Sequence, residues 1–114
     1  MQRDRADWLG RTIEDPIDPD RPIIDPHHHL WRRTDRPYTV DQLHDDTGAG
    51  HNIVKTVFVE CMAEYRSDGP EDLRPVGETE FVAAQAAESR RRGGAQIAGI
   101  VSFADLTLGD AVEE

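Results

Sequence analysis

Apolar residues along this chain gather into three short runs separated by polar and amphipathic stretches. The first opens at Ile23-Ile24 and leads into Asp25-Pro26-His27-His28-His29-Leu30-Trp31. The second, 53–61, is a nearly continuous β-branched and aromatic segment, Ile53-Val54-Lys55-Thr56-Val57-Phe58-Val59-Glu60-Cys61. The third covers 96–105 and ends at Asp105. The second run suits a parallel strand covered on both faces. Two helical patterns separate the three runs. Thr39-Val40-Asp41-Gln42 has capping-box spacing, in which the threonine meets a backbone N–H and the glutamine reaches back. The helix it starts is expected to reach Asp46 or Thr47, to bury Val40 and Leu43, and to end in Gly48-Ala49-Gly50, where left-handed angles cost little. Over 78–92, Glu78 and Glu80 suit a helix N-terminus and Arg90-Arg91-Arg92 a C-terminus, while Phe81, Val82 and the alanines supply a face for the sheet.

The outer segments are less regular. Asp15-Pro16, Asp18-Pro19 and Arg21-Pro22 push 1–22 toward extended backbone, so this part reads as an N-terminal arm across the base of the fold, with a short helix around 3–9. The polar stretch 62–76 is long enough for a loop on a functional face. Residues 108–114 read as a helix just starting, capped by Asp110 or Thr107.

Strand, helix, strand, helix, strand predicts an α/β fold with three parallel strands whose C-terminal ends share one rim. That rim collects the chemistry. His27 and His29 stand two residues apart, so in a strand their imidazoles share a face, whereas His28 turns away to pack or hydrogen-bond. Two imidazoles make half of a site for zinc or a similar ion. Asp25 shares their face in an ideal strand, subject to the disturbance Pro26 imposes, and would serve as a supporting carboxylate. Glu60 ends the second strand and Asp105 the third. Glu60 is the candidate catalytic carboxylate, with loop anchoring as the plainer alternative; for Asp105, capping the next turn is the simpler duty. Arg32, Arg33 and Arg36 follow the first strand, either to recognise a substrate carboxylate or as a solvated loop. His44 and His51 read as ordinary surface residues, and Cys61 as a small buried hydrophobe.

Composition narrows the partners. The chain has 114 residues, 23 acidic against 13 basic, and a formal net charge of −10. Nucleic acid and anionic membranes need a positive surface and are disfavoured. No stretch approaches the roughly 18 apolar residues that span a bilayer, and Met1 to Asp7 lack the apolar core of a signal peptide, so the expected compartment is the cytoplasm. A lone cysteine makes no internal disulfide.

Asp25-x-His27-x-His29, the Leu30-Trp31 pair, the 48–52 turn, the 57–61 strand, Gly77-Glu78-Thr79-Glu80-Phe81 and the 99–105 segment together resemble the amidohydrolase superfamily. The similarity is to its amidohydrolase-related branch of metal-dependent hydrolases, lactonases and decarboxylases, and covers most of 15–112. The resemblance implies a TIM-like (β/α)8 barrel, of which 23–114 would form the N-terminal three βα units. A whole barrel takes about 250 residues, so the expectation is an incomplete barrel, the N-terminal piece of a longer enzyme. It also implies a divalent metal, zinc or else manganese, on His27 and His29, and a small-molecule carbonyl or carboxylate substrate undergoing ester, lactone or amide hydrolysis or decarboxylation. Some related lactonases use histidines and an arginine without metal. The family's late-strand aspartate has no counterpart here, and the isolated chain is expected to be inactive. Open sheet edges would invite pairing with another chain. The rival reading is a small non-catalytic α/β subunit or interaction module with structural histidines.

Overall fold

A computed structural model describes residues 5–113. Three strands, β1 (Pro22–His28), β2 (Asn52–Val59) and β3 (Gln96–Val101), form one parallel sheet in the order β1-β2-β3. Helix α1 (Arg5–Leu9) lies in the arm; the part of the expected helix at Arg3 and Asp4 falls outside the described residues. Helix α2 (Val40–Thr47) links β1 to β2 and helix α3 (Val76–Arg92) links β2 to β3. The chain is thus α/β with alternating elements, as the apolar runs imply.

Both helices follow from their sequences. At the start of α2, Gln42 returns to the Thr39 amide at 2.8 Å, and the Thr39 hydroxyl donates to the same carboxamide oxygen at 3.1 Å. A second glutamine, Gln85 of α3, accepts the Val40 amide at 2.9 Å and so docks the two helices. Helix α2 ends at Thr47 in the expected Gly48-Ala49-Gly50 turn, where Gly48 has φ −90° and the positive φ falls on Gly50, which packs against Pro16. Helix α3 begins two residues before Glu78 and ends at Gly93, in left-handed geometry at φ 78°. Of its final arginines, Arg91 and Arg92 pair with Glu88, and Arg92 also reaches Asp41.

The core lies between one face of the sheet and these two helices. Leu30, Leu43, Phe58, Phe81, Val82 and Ile97 form its buried cluster, with Tyr38, Cys61, Ala86 and Ile100 at its margin. Polar groups inside are bonded to one another. His44, expected on the surface, is half-buried and donates through Nε2 to Ser89 Oγ at 2.8 Å, because Ser89 itself donates to the Ala95 carbonyl at 2.7 Å. The ring occupies the space beside Gly94, where any Cβ would lie 2.5 Å from it.

On the other face, where the sequence of β2 predicts a second cover, the sheet carries no helix among the described residues, and Val54 and Lys55 are exposed. Ile24, paired in register with Lys55, is 60% exposed, and Val101, paired with Val59, is 51% exposed. Among the described residues the arm meets the N-terminal end of the sheet, where Asn52 Nδ2 donates to the Asp20 carbonyl at 3.0 Å.

Two expected elements are shorter or different. Strand β3 stops at Val101, and Asp105 instead caps the turn that follows, accepting from the Thr107 amide at 3.0 Å and its hydroxyl at 2.5 Å. Leu106–Glu113 is a 3-10 segment broken at Gly109 (φ 61°, ψ −134°) in place of the start of an α-helix. No helix among the described residues is long and apolar enough to cross a membrane.

Candidate metal-binding rim

Three consecutive histidines leave β1 in different directions. The register pairs Asp25 with Thr56 and His28 with Phe58, which places an extra residue of β1 between them. His28 falls on the helix-covered face, where its Nε2 bonds Thr56 Oγ1 at 2.9 Å and its ring meets Phe58 edge-on at 5.9 Å. Burial lowers its pKa below the usual histidine value and keeps the ring neutral. Its Nδ1 is buried without a hydrogen-bond partner among the described residues.

His27 and His29 converge. Their Nε2 atoms stand 3.3 Å apart, with ring planes at 89°. His29 Nδ1 lies 2.7 Å from the carbonyl of Val59, the last residue of β2. A carbonyl only accepts, so Nδ1 carries the proton and, in the neutral ring, Nε2 of His29 presents a bare lone pair. His27, which is exposed, therefore supplies the Nε2–H of the contact between the two rings.

The same geometry fits the donor set of a cation. Two ligands of a tetrahedral zinc ion at about 2.0–2.1 Å from the metal lie about 3.3–3.4 Å apart. A backbone carbonyl fixing the remote nitrogen is the usual means of orienting a ligand histidine. Presenting the lone pair of His27 takes only a shift of its proton to Nδ1, in a ring open to solvent. The fit extends to two ligands, since no group of three or more His, Cys, Asp or Glu residues among the described residues could hold a metal ion.

The carboxylates expected nearby are distributed differently. Asp25 does not join the pair; the slip in register takes it off the shared face and its Oδ1 accepts the His27 amide at 3.1 Å. Glu60 follows Val59 directly, and its amide extends the ladder to the Val101 carbonyl at 2.9 Å. Its half-buried carboxylate has no hydrogen bond or ion pair among the described residues, so the orienting bond to His29 comes from the Val59 backbone and not from Glu60. Asp105 is spent on its turn.

Two carboxylates that the sequence pattern does not single out as part of the rim organise its loops. Glu78, at the start of α3, is buried and accepts the amides of Cys61 at 3.1 Å and Ala63 at 2.6 Å. Glu64 is buried under Arg32 and Arg33. Burial, and then the charge of Glu78, raise the Cys61 thiol above its ordinary pKa, which suits a packed thiol and not a nucleophile.

Comparison of the chain with protein-family models, with curated proteins and with solved structures finds no match.

Proposed function

We propose that this chain supplies the metal-binding edge of an amidohydrolase-like hydrolase built on a (β/α)8 plan, with His27 and His29 as two ligands of a divalent cation, most readily zinc. The observation that carries this reading is the 3.3 Å Nε2 separation combined with the bond from His29 Nδ1 to Val59. Such a cation polarises a carbonyl and lowers the pKa of water toward about 7. His29 holds its lone pair at a fixed angle because a strand-end carbonyl grips its other nitrogen, while solvent-exposed His27 adjusts to it. Glu60, uncommitted at the end of β2, is the candidate to accept a proton or to bind the carbonyl substrate. The sequential order β1-β2-β3, with helices on one face and an exposed apolar face opposite, is consistent with the opening of a barrel, whose interior that face would line. Further ligands would come from additional strands, and the described residues alone would not catalyse hydrolysis.

A second reading has an observation of its own. The two rings already bond each other, and His29 is anchored without metal, which suits a structural imidazole link in a non-catalytic α/β subunit. Cobalt(II) titration separates them. The metal reading requires a saturable spectrum with at least about a tenfold loss of affinity in His29→Ala, by analogy with the loss seen when groups supporting ligands are removed. Absence of saturation in the unmodified chain, with destabilisation in His29→Ala, would establish the structural link instead.

A further inference from the structure

One buried carboxylate ties together the loops that follow β1 and β2. The Glu64 side chain is only 2% exposed. Its Oε1 accepts the amides of Arg32 and Arg33, each at 3.1 Å, and its Oε2 lies 3.1 Å from Arg32 Nε and 3.2 Å from Arg33 Nε. Three hydrogen bonds and the ion pair with Arg33 thus converge on one carboxylate. The Arg32 guanidinium is held by a hydrogen bond from Nε and that of Arg33 by an ion pair at Nε, and the terminal nitrogens of both have no hydrogen bond among the described residues. Two positive charges against one negative leave the cluster positive in a chain whose net charge is −10.

The support beneath this pair is specific. Glu64 has φ 56° and Met62 φ 63°, left-handed values that strain a residue other than glycine. Gly77 lets α3 approach, since a Cβ there would lie 2.7 Å from the Glu64 carbonyl oxygen and 2.6 Å from the Arg66 nitrogen. The Arg32 guanidinium carbon lies 5.1 Å from the centre of the Phe81 ring. The two arginines border a cavity of about 390 Å³, lined also by Tyr65, Arg66, Phe81 and the carboxylate-bearing Asp68 and Glu80. Glu80 is paired with Arg66, which offsets its repulsion of an anion.

We infer that Arg32 and Arg33, held side by side by Glu64, form a binding clip for the oxyanion of a small molecule, a carboxylate or a phosphate group. Planar guanidiniums with free terminal N–H groups bind such oxygens in pairs. The clip is independent of any metal at His27 and His29.

The test is a side-chain NMR titration of the full chain with malonate and, separately, inorganic phosphate. Saturable shifts centred on Arg32 and Arg33 are expected. They should weaken at least tenfold in an Arg32→Gln/Arg33→Gln variant, and several-fold in Arg33→Lys, which keeps the charge but loses the fork. Tighter malonate binding identifies a carboxylate ligand and tighter phosphate binding a phosphate. Affinity unchanged in both arginine variants, or shifts that never saturate and spread over all basic residues, would overturn the clip. A His27→Ala/His29→Ala variant should bind malonate as the unmodified chain does; loss of binding there would overturn the assignment to the arginines, whereas failure of cobalt binding alone leaves it intact.

Discussion

The two faces of the sheet divide one strand's histidines between different tasks. On the helix-covered face His28 is locked between Thr56 and Phe58, neutral and buried. On the open face its neighbours His27 and His29 meet at the rim beside exposed apolar strand residues. Position within the pleat, and not residue type, separates a packing imidazole from an available one.

The sharpest way to break this contrast is to remove mass from each face in turn. Phe58→Ala on the covered face should cost about 3–5 kcal/mol in urea unfolding, through lost burial and a cavity among Leu30, Leu43 and Val82. Val101→Thr on the open face should change stability by no more than about 0.5 kcal/mol. Similar losses for the two would mean that the open face is covered in solution. Next in size is Glu78→Ala, which removes the buried acceptor of the half-buried Cys61 and Ala63 amides and should cost about 1–3 kcal/mol. Hydrogen exchange should then speed up in 61–64 more than in β1. His28→Ala should cost about 1–3 kcal/mol by loss of its buried hydrogen bond, while His27→Ala leaves the unfolding midpoint unchanged. The smallest effect concerns Cys61: its raised pKa predicts slower alkylation by iodoacetamide at pH 8 in the folded chain than in urea. Equal rates would remove the burial argument.

Local patterns in the sequence carry much of this fold. The apolar runs locate all three strands, Thr39 and Gln42 mark the start of α2, and alternation alone turns His28 away from its neighbours. What escapes is pairing across long separations. Glu64 sits in a stretch that reads as a polar loop, and its partners lie 31 and 32 positions earlier. The adjacent arginines after β1 were the available signal, since two guanidiniums call for an anion. Glu78 looks like an ordinary helix-start acid because nothing local reveals that it folds back over the end of β2. The slip at Asp25 had a visible cause in Pro26, which lacks the amide that a regular ladder uses. The short β3 and the 3-10 turns reflect turn chemistry after Val101 that the apolar pattern hides, since Asp105 caps a turn and Gly109 breaks the segment although Phe103, Leu106 and Leu108 keep it apolar.

Zinc binding at the His27 and His29 pair tests the central claim most directly. Equilibrium dialysis of the unmodified chain against zinc, beside His27→Ala/His29→Ala and His28→Ala variants, should give one bound zinc per chain in the first, none in the second, and an unchanged value in any folded His28→Ala protein. Equal zinc retention by the unmodified chain and the double variant would contradict the account.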